Sequence, residues 1–308
     1  VRKRIFFVFL FFAVLVYGSY IFIPPIYTRY QNTKIFNQLN LKVEKLKYDN
    51  DKDYFEYIEG GKGSTIVFVH GFQSTKRFWL PYIKRFINNY DVIAMDLPGH
   101  GNSSRPKNQK YDLQSLADSL ALFIEKKNLN NFHLVGTSMG GGIAAIYAYK
   151  NPEKIRSLIL INPLGIVQEE KSDLQRLMEK GKNIFFPKSL EEFDEMTVYI
   201  SGKPLTINSY FKKYFLGQMV KDYSFFRKVF NELVTKSKPL DDILPQITTP
   251  TLILIGQKDR IIHPASYECF VDLIPNAKPV RLINGNHVLI DAYFDQAVRS
   301  MNKFLKDN

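Results

Sequence analysis

The chain has 308 residues, 45% of them hydrophobic and 14% aromatic, and carries a net charge of +12. Those values exclude a disordered chain and leave room for one large domain or a domain with a sizeable insertion. The single cysteine, Cys269, excludes an internal disulfide and a cysteine-based zinc centre, and the dispersed basic excess excludes a nucleic-acid groove but suits an anionic membrane surface.

The first element is apolar. "VRKR" precedes "IFFVFLFFAVLVYGSYIFI", Ile5 to Ile23, which contains no charge. As a helix it would rise about 28 Å, close to the hydrocarbon thickness of a bilayer. Pro24 and Pro25 are expected to stop that helix, with Tyr17, Tyr20 and Tyr27 at its far, interfacial end. Residues 1–25 therefore read as a single-pass membrane anchor. The alternative is a cleaved signal peptide, for which "YGS" is a poor small-x-small site. Arg2, Lys3 and Arg4 favour a cytoplasmic N-terminus, with the rest of the chain on the non-cytoplasmic side; Arg29 and Lys34 on the other flank oppose this. Residues 26–40 read as a polar, aromatic connector.

Strands follow. "LKVEKLKY" (41–48) and "YFEYIEG" (54–60) alternate apolar and polar residues, as an exposed antiparallel edge does. Six continuous apolar runs come next, at 65–71, 91–99, 132–136, 157–163, 250–259 and 280–287. Such runs are strands covered on both faces. Helical patterns separate them at 76–88, 112–127, 139–150, 265–274 and 291–305. The alternation predicts an α/β fold, a mostly parallel eight-stranded sheet with helices on both faces. Between about 165 and 245 no buried strand appears, and the segment is helical, charged and rich in Phe and Tyr. A structureless loop of that length is rare. The expected organisation is an α/β core in two parts, 41–164 and 246–308, with a helical cap at 165–245.

In open parallel sheets, ligands sit outside the carboxyl ends of the strands. The polar residues that fall there are His70, Asp96, Ser138, Asn162, Asp259 and His287. Three of them supply a nucleophile, an orienting acid and a base. Ser138 lies in Gly136-Thr137-Ser138-Met139-Gly140, a G-x-S-x-G between a strand and a helix. Gly136 and Gly140 let strand and helix approach closely, and the helix N-terminus turns free amides toward the serine. A phosphate cradle is the other use of such glycines, but no lysine follows at P-loop spacing. His287, in "NGNHV", can take the serine proton near neutral pH. Asp259, in "GQKDRI", can hold one tautomer of that imidazole. Asp96, in "DLPGHG", is the rival acid in a turn where carboxylates bond backbone amides.

A tetrahedral intermediate needs donors for its oxyanion. The Met139 N–H is one candidate, and Phe72, in the loop after "FVFVHG", is placed to give the second. His70 and Gly71 are expected to shape that loop. His100, His133 and His263 have no supporting context and read as structural or surface residues.

With "HGF", "DLPGHGNS", "GTSMGG", "GQKD" and "GNH" in this order and spacing, the chain resembles the α/β-hydrolase family across roughly 41–306. Beside the N-terminal apolar segment, "VGTSMGG" resembles the membrane-anchored monoacylglycerol lipases. The resemblance implies a serine hydrolase with no cofactor and no metal, forming an acyl-enzyme on Ser138. The expected substrate is a lipid ester, with Phe185, Phe186, Phe193, Phe211, Phe215, Phe225 and Phe226 of the cap lining or covering an acyl pocket. No nucleic acid and no obligate protein partner are expected. The alternatives are an esterase or C–C bond hydrolase of small soluble substrates, and, more remotely, a non-catalytic binding protein.

Overall fold

The structure is a computed structural model that describes residues 24–28, 30–48, 52–166, 170–290 and 293–308. The apolar segment expected to be an anchor, Ile5 to Ile23, lies outside them. Among the described residues, no helix is long and apolar enough to cross a membrane.

The described strands are β1 (Lys42–Lys47), β2 (Tyr54–Gly61), β3 (Thr65–Val69), β4 (Asp91–Met95), β5 (Phe132–Thr137), β6 (Ile155–Ile161), β7 (Thr251–Gly256) and β8 (Ala277–Leu282). They form one sheet in the order β1-β2-β4-β3-β5-β6-β7-β8. β1 and β2 pair antiparallel, and β2 joins β4 antiparallel. From β4 to β8 every pairing is parallel. Each of the eight apolar or alternating runs in the sequence is thus a strand of this sheet.

Side chains alternate across the sheet because successive strand residues point to opposite faces. On one face Ile66, Phe68, Val92, Ala94, Ile159 and Leu254 pack beneath a 3₁₀ turn (Lys76–Trp79), helix α1 (Leu80–Phe86) and a C-terminal helix, Phe294–Asp307. On the other, Val67, Val69, Ile93, Leu134, Leu158 and Ile253 pack beneath α2 (Leu113–Lys126) and α3 (Met139–Lys150). Asp112 caps α2 by accepting the Ser115 N–H at 2.9 Å. α3 is buried on nearly all sides, which is why it lacks the polar face of a surface helix.

Between β6 and β7 the described chain is helical, with α4 (Asp173–Glu179), α5 (Leu190–Ser201), α6 (Ser209–Lys221) and α7 (Tyr223–Lys236). α8 (Ala265–Leu273) follows β7, and α9 is the C-terminal helix Phe294–Asp307. Cys269 on α8 packs half-buried against the core.

Residues 24–28 and 30–38 are helical, so Pro24 and Pro25 lie in helical backbone, and the helix they are expected to stop lies outside the described residues. This helical stretch leans on α6, with the Tyr27 and Phe211 rings meeting edge to face at 5.3 Å.

β3 has β4 on one side and β5 on the other. The chain therefore reverses its direction of travel across the sheet at β3, and a crevice opens between the loops after β3 and β5. His70 to Phe72 occupy the first loop and Ser138 the second.

Candidate active site

Ser138 sits on a strained turn. Its N–H donates to Ile161 O at 3.0 Å, so strand pairing holds the residue to the sheet edge. Its backbone then swings to φ 54 and ψ −123, outside the common basins for a residue with a side chain. The turn persists because the Ser138 carbonyl accepts from Gly141 N, Gly142 N and Leu164 N at 2.9 to 3.2 Å. The flanking glycines are obligatory by contact. A methyl at Gly136 would lie 2.2 Å from Gly140 O, and one at Gly140 would lie 2.3 Å from Val69 O. α3 begins at Met139, so first-turn amides with their partial positive charge face the serine.

His287 and Asp259 reach Ser138 from the ends of β8 and β7. His287 Nε2 lies 3.0 Å from Ser138 Oγ. Its Nδ1 lies 2.6 Å from Asp259 Oδ2. A carboxylate can only accept, so Nδ1 carries the proton and Nε2 is free to accept the serine hydroxyl. Both side chains are buried, and Ser138 is half-buried. The arrangement can move a proton from a hydroxyl to an imidazole whose cation a carboxylate already faces.

Asp259 is saturated with donors. Oδ1 accepts from Ile261 N at 2.8 Å and Ile262 N at 3.1 Å. Oδ2 accepts from His287 and also from the Tyr267 hydroxyl. Tyr267, fully buried on α8, carries no sequence signature and was not anticipated. Asn162, at the end of β6, is a second support. Its Nδ2 donates to Asn286 O at 3.0 Å and His287 O at 2.9 Å, and its Oδ1 accepts from Gly256 N at 2.7 Å. Its position after a strand marked it, but the role appears only once β6, β7 and the His287 loop adjoin. Helix α5 reaches the same loop through the Val288 N–H, which donates to Ile200 O at 3.1 Å.

The loop after β3 lies against the serine. A methyl on Gly71 would stand 3.2 Å from Ser138 Cβ and 3.6 Å from Oγ. His70 fixes that loop, because its Nδ1–H donates to Gly71 O at 2.8 Å and its Nε2 accepts from Leu97 N at 3.1 Å. Complete burial pushes His70 down to about 4, so it is neutral and bridges two backbone segments. Phe72 comes next, and its ring meets those of Phe185, Phe226 and Phe230 at 5.4 to 5.8 Å and Phe186 at 6.4 Å. Phe230 was not anticipated. Phe211 lies elsewhere, against Tyr27, and Phe225 packs on Tyr111 beneath the Arg105 guanidinium.

Asp96, the rival acid, stands apart from His287. It is buried in an ion cluster with Lys76, whose Nζ donates to it and, at 2.8 Å, to Glu56 Oε1. The Asn102 N–H donates to Asp96 at 2.9 Å, and the Asn102 amide reaches Glu56 at 2.7 Å. Burial raises Glu56, but hydrogen bonds from Lys76 and Asn102 outweigh it and leave the carboxyl below its ordinary value. The turn thus held presents His100, whose ring stands 5.2 Å from His70 and 5.3 Å from Phe226. His133 bonds Ser157 at 2.7 Å within the sheet, and His263 lies in the turn before α8. Among the described residues, no group of His, Cys, Asp and Glu side chains could hold a metal ion.

A family model for the alpha/beta hydrolase fold matches residues 64–291. Among similar proteins, monoacylglycerol lipase abhd6-B of Xenopus laevis is 28% identical over 281 residues, 87% of this chain and 83% of that protein. Lipase 1 of Psychrobacter immobilis is 28% identical over 275 residues, 87% of this chain and 85% of that protein. Among solved structures, a membrane phospholipase A described as a bacterial virulence factor superposes with a TM-score of 0.88 at 29% identity, over 99% of this chain and 98% of that one.

Proposed function

Because this chain belongs to the alpha/beta hydrolase fold family, we propose that it is a serine carboxylic-ester hydrolase acting on lipid esters of the monoacylglycerol class. The observation that carries the reading is the relay Asp259–His287–Ser138, with links of 2.6 and 3.0 Å at the carboxyl edge of one sheet. The lipase and monoacylglycerol lipase relatives support the same class.

In the proposed reaction Ser138 Oγ attacks the ester carbonyl carbon while His287 Nε2 takes its proton. The carbonyl π electrons move to oxygen, and the N–H groups of Met139 and Phe72 stabilise that oxyanion. Its collapse expels the alcohol, which receives the proton from His287, and leaves an acyl-Ser138. Water, deprotonated by His287, attacks the acyl carbon, and the acid leaves as Ser138 recovers its proton. Asp259 holds the imidazole tautomer and faces its transient cation throughout.

The segment 165–245 acts as a cap in this reading. The cluster of Phe185, Phe186, Phe226 and Phe230 around Phe72 supports an apolar cover for an acyl chain beside the oxyanion loop. Each buried methylene of that chain adds about 0.8 kcal/mol. The uncharged run Ile5–Ile23 would anchor the enzyme to a membrane as a single span, with Arg2, Lys3 and Arg4 on the cytoplasmic side and the catalytic domain opposite. Likeness to a membrane phospholipase A supports a membrane setting.

Hydrolysis of p-nitrophenyl esters from two to sixteen carbons tests the proposal. Rising kcat/KM through the longer chains, abolished by Ser138→Ala, is expected. Cleavage of the shortest esters alone would overturn the lipid assignment.

A further inference from the structure

We infer that Tyr267 is a positioning residue for the Ser138–His287 pair, acting through the carboxylate oxygen of Asp259 that it shares with His287; the inference rests on the roles proposed above. The two oxygens of Asp259 are used differently. Oδ1 is fixed by two backbone amides, those of Ile261 and Ile262. Oδ2 faces the reacting side and takes both the His287 Nδ1–H and the Tyr267 O–H. A loop or strand end would suffice to aim a carboxylate. The phenol does something more, because it competes for the oxygen that stabilises the imidazolium.

The local chemistry fixes which way the proton points. Tyr267 is completely buried on α8, and the Asp259 side chain is fully shielded. Burial, and then the carboxylate itself, hold the phenol well above its ordinary range, so it remains a donor. Hydrogen bonding to a carboxylate spreads its charge, and in a shielded site that effect is strong. The oxygen then attracts the imidazolium less than a carboxylate with one donor would.

Other charged groups near the pair are accounted for. Beside Asp259 a cleft of about 680 Å³ carries Asp173, Arg176, Lys258, Arg260 and His263. Arg260 is tied to Asp173 at 2.6 Å and lies over the Tyr199 ring, while His263 faces Glu170. These groups meet solvent, which screens them. From the α3 side the pair meets the neutral Ser138. Tyr267 is the partner that combines burial with direct contact.

Tyr267→Phe removes the donor and keeps the ring. The downfield proton of His287 Nδ1, read by NMR in the resting protein, is expected to move further downfield. The acid limb of kcat/KM against pH is expected to move up by about 0.5 to 1, the equivalent of one ordinary hydrogen bond. Plateau kcat is expected to fall by less than about tenfold. A fluorinated tyrosine placed at 267 alone is a stronger donor, and both shifts are expected to reverse. It also decides the matter if the phenylalanine variant does not fold. An equal loss of activity at every pH, with the resonance unmoved, would reduce Tyr267 to packing and overturn the inference. The NMR arm needs no turnover, so a failure of the hydrolase assignment, seen as activity independent of Ser138, stays separable.

Discussion

His287 Nε2 stands 3.0 Å from Ser138 Oγ although 149 residues separate them in the chain. The contact is made because β5 and β8 end at the same edge of the sheet, and because Asn162 holds the carbonyl of His287 from below. Ser138→Ala is expected to lower kcat by about 10⁵- to 10⁶-fold and to abolish labelling by a fluorophosphonate probe. Asp259→Asn is expected to cost about 10⁴-fold, because the amide can turn an N–H toward Nδ1 and favour the wrong tautomer. Burst kinetics and thermal melts separate these losses from misfolding.

Two glycines should respond oppositely to alanine. At Gly140 the added methyl would meet the Val69 and His70 carbonyls at 2.3 and 2.5 Å, and backbone cannot turn aside. Gly140→Ala is expected to cost about 3 kcal/mol or more in urea unfolding and to reduce activity with it. Gly217 sits on α6 with nothing within 4 Å of the new methyl. Gly217→Ala is expected to add up to about 1 kcal/mol through helix propensity and leave activity unchanged.

The buried cluster of Lys76, Glu56 and Asp96 makes a third case. Lys76→Met keeps the aliphatic volume but strands two carboxylates near 0 to 10% side-chain exposure. The expected loss is about 3 to 5 kcal/mol at pH 7, because each carboxylate keeps its desolvation cost without its cation. Chemical denaturation at pH 7 measures it. A change below 1 kcal/mol would show that the cluster is not held as described.

Acid sensitivity follows from three buried histidines. Burial pushes His70 and His133 down to about 4 and His100 down to about 3. Unfolded, each would take a proton near ~6.5. Between those values the unfolded chain binds more protons, so the stabilisation is complete above pH ~6.5 and is lost as pH falls through about 4 for His70 and His133 and about 3 for His100. The slope is about 1.4 kcal/mol per pH unit for each histidine. Urea midpoints from pH 8 to 4 should show the fall beginning near ~6.5. A flat profile from pH 7 to 5 would contradict the neutral bridging role of His70.

Much was legible in the residues themselves. Apolar runs such as "TIVFVHG" and "PTLILIGQKD" announced buried strands, because a strand covered on both faces must be apolar at every position. The elbow was legible because its constraint is local. Gly136, Ser138 and Gly140 lie within one turn, and steric exclusion there admits only glycine on either side. Asp259 and His287 are singled out by asking which polar residues follow strands, a question that needs only chain order.

Other features had to await the tertiary structure. Lys76 resembles any surface lysine in the chain, since burial of a charge depends on partners supplied by distant strands. Tyr267 reads as an ordinary helix aromatic until α8 packs beside the Asp259 loop. Phe211 and Phe230 look alike among the aromatics between β6 and β7, yet one meets Tyr27 and the other Phe72. Sequence alone determined the strand pattern and the tight glycine turn, and it set Ser138, Asp259 and His287 after strand ends, because periodicity and short-range sterics act along the chain. The fold alone decided which groups share a hydrogen bond or a dry interior, because proximity between remote residues comes from strand order and packing.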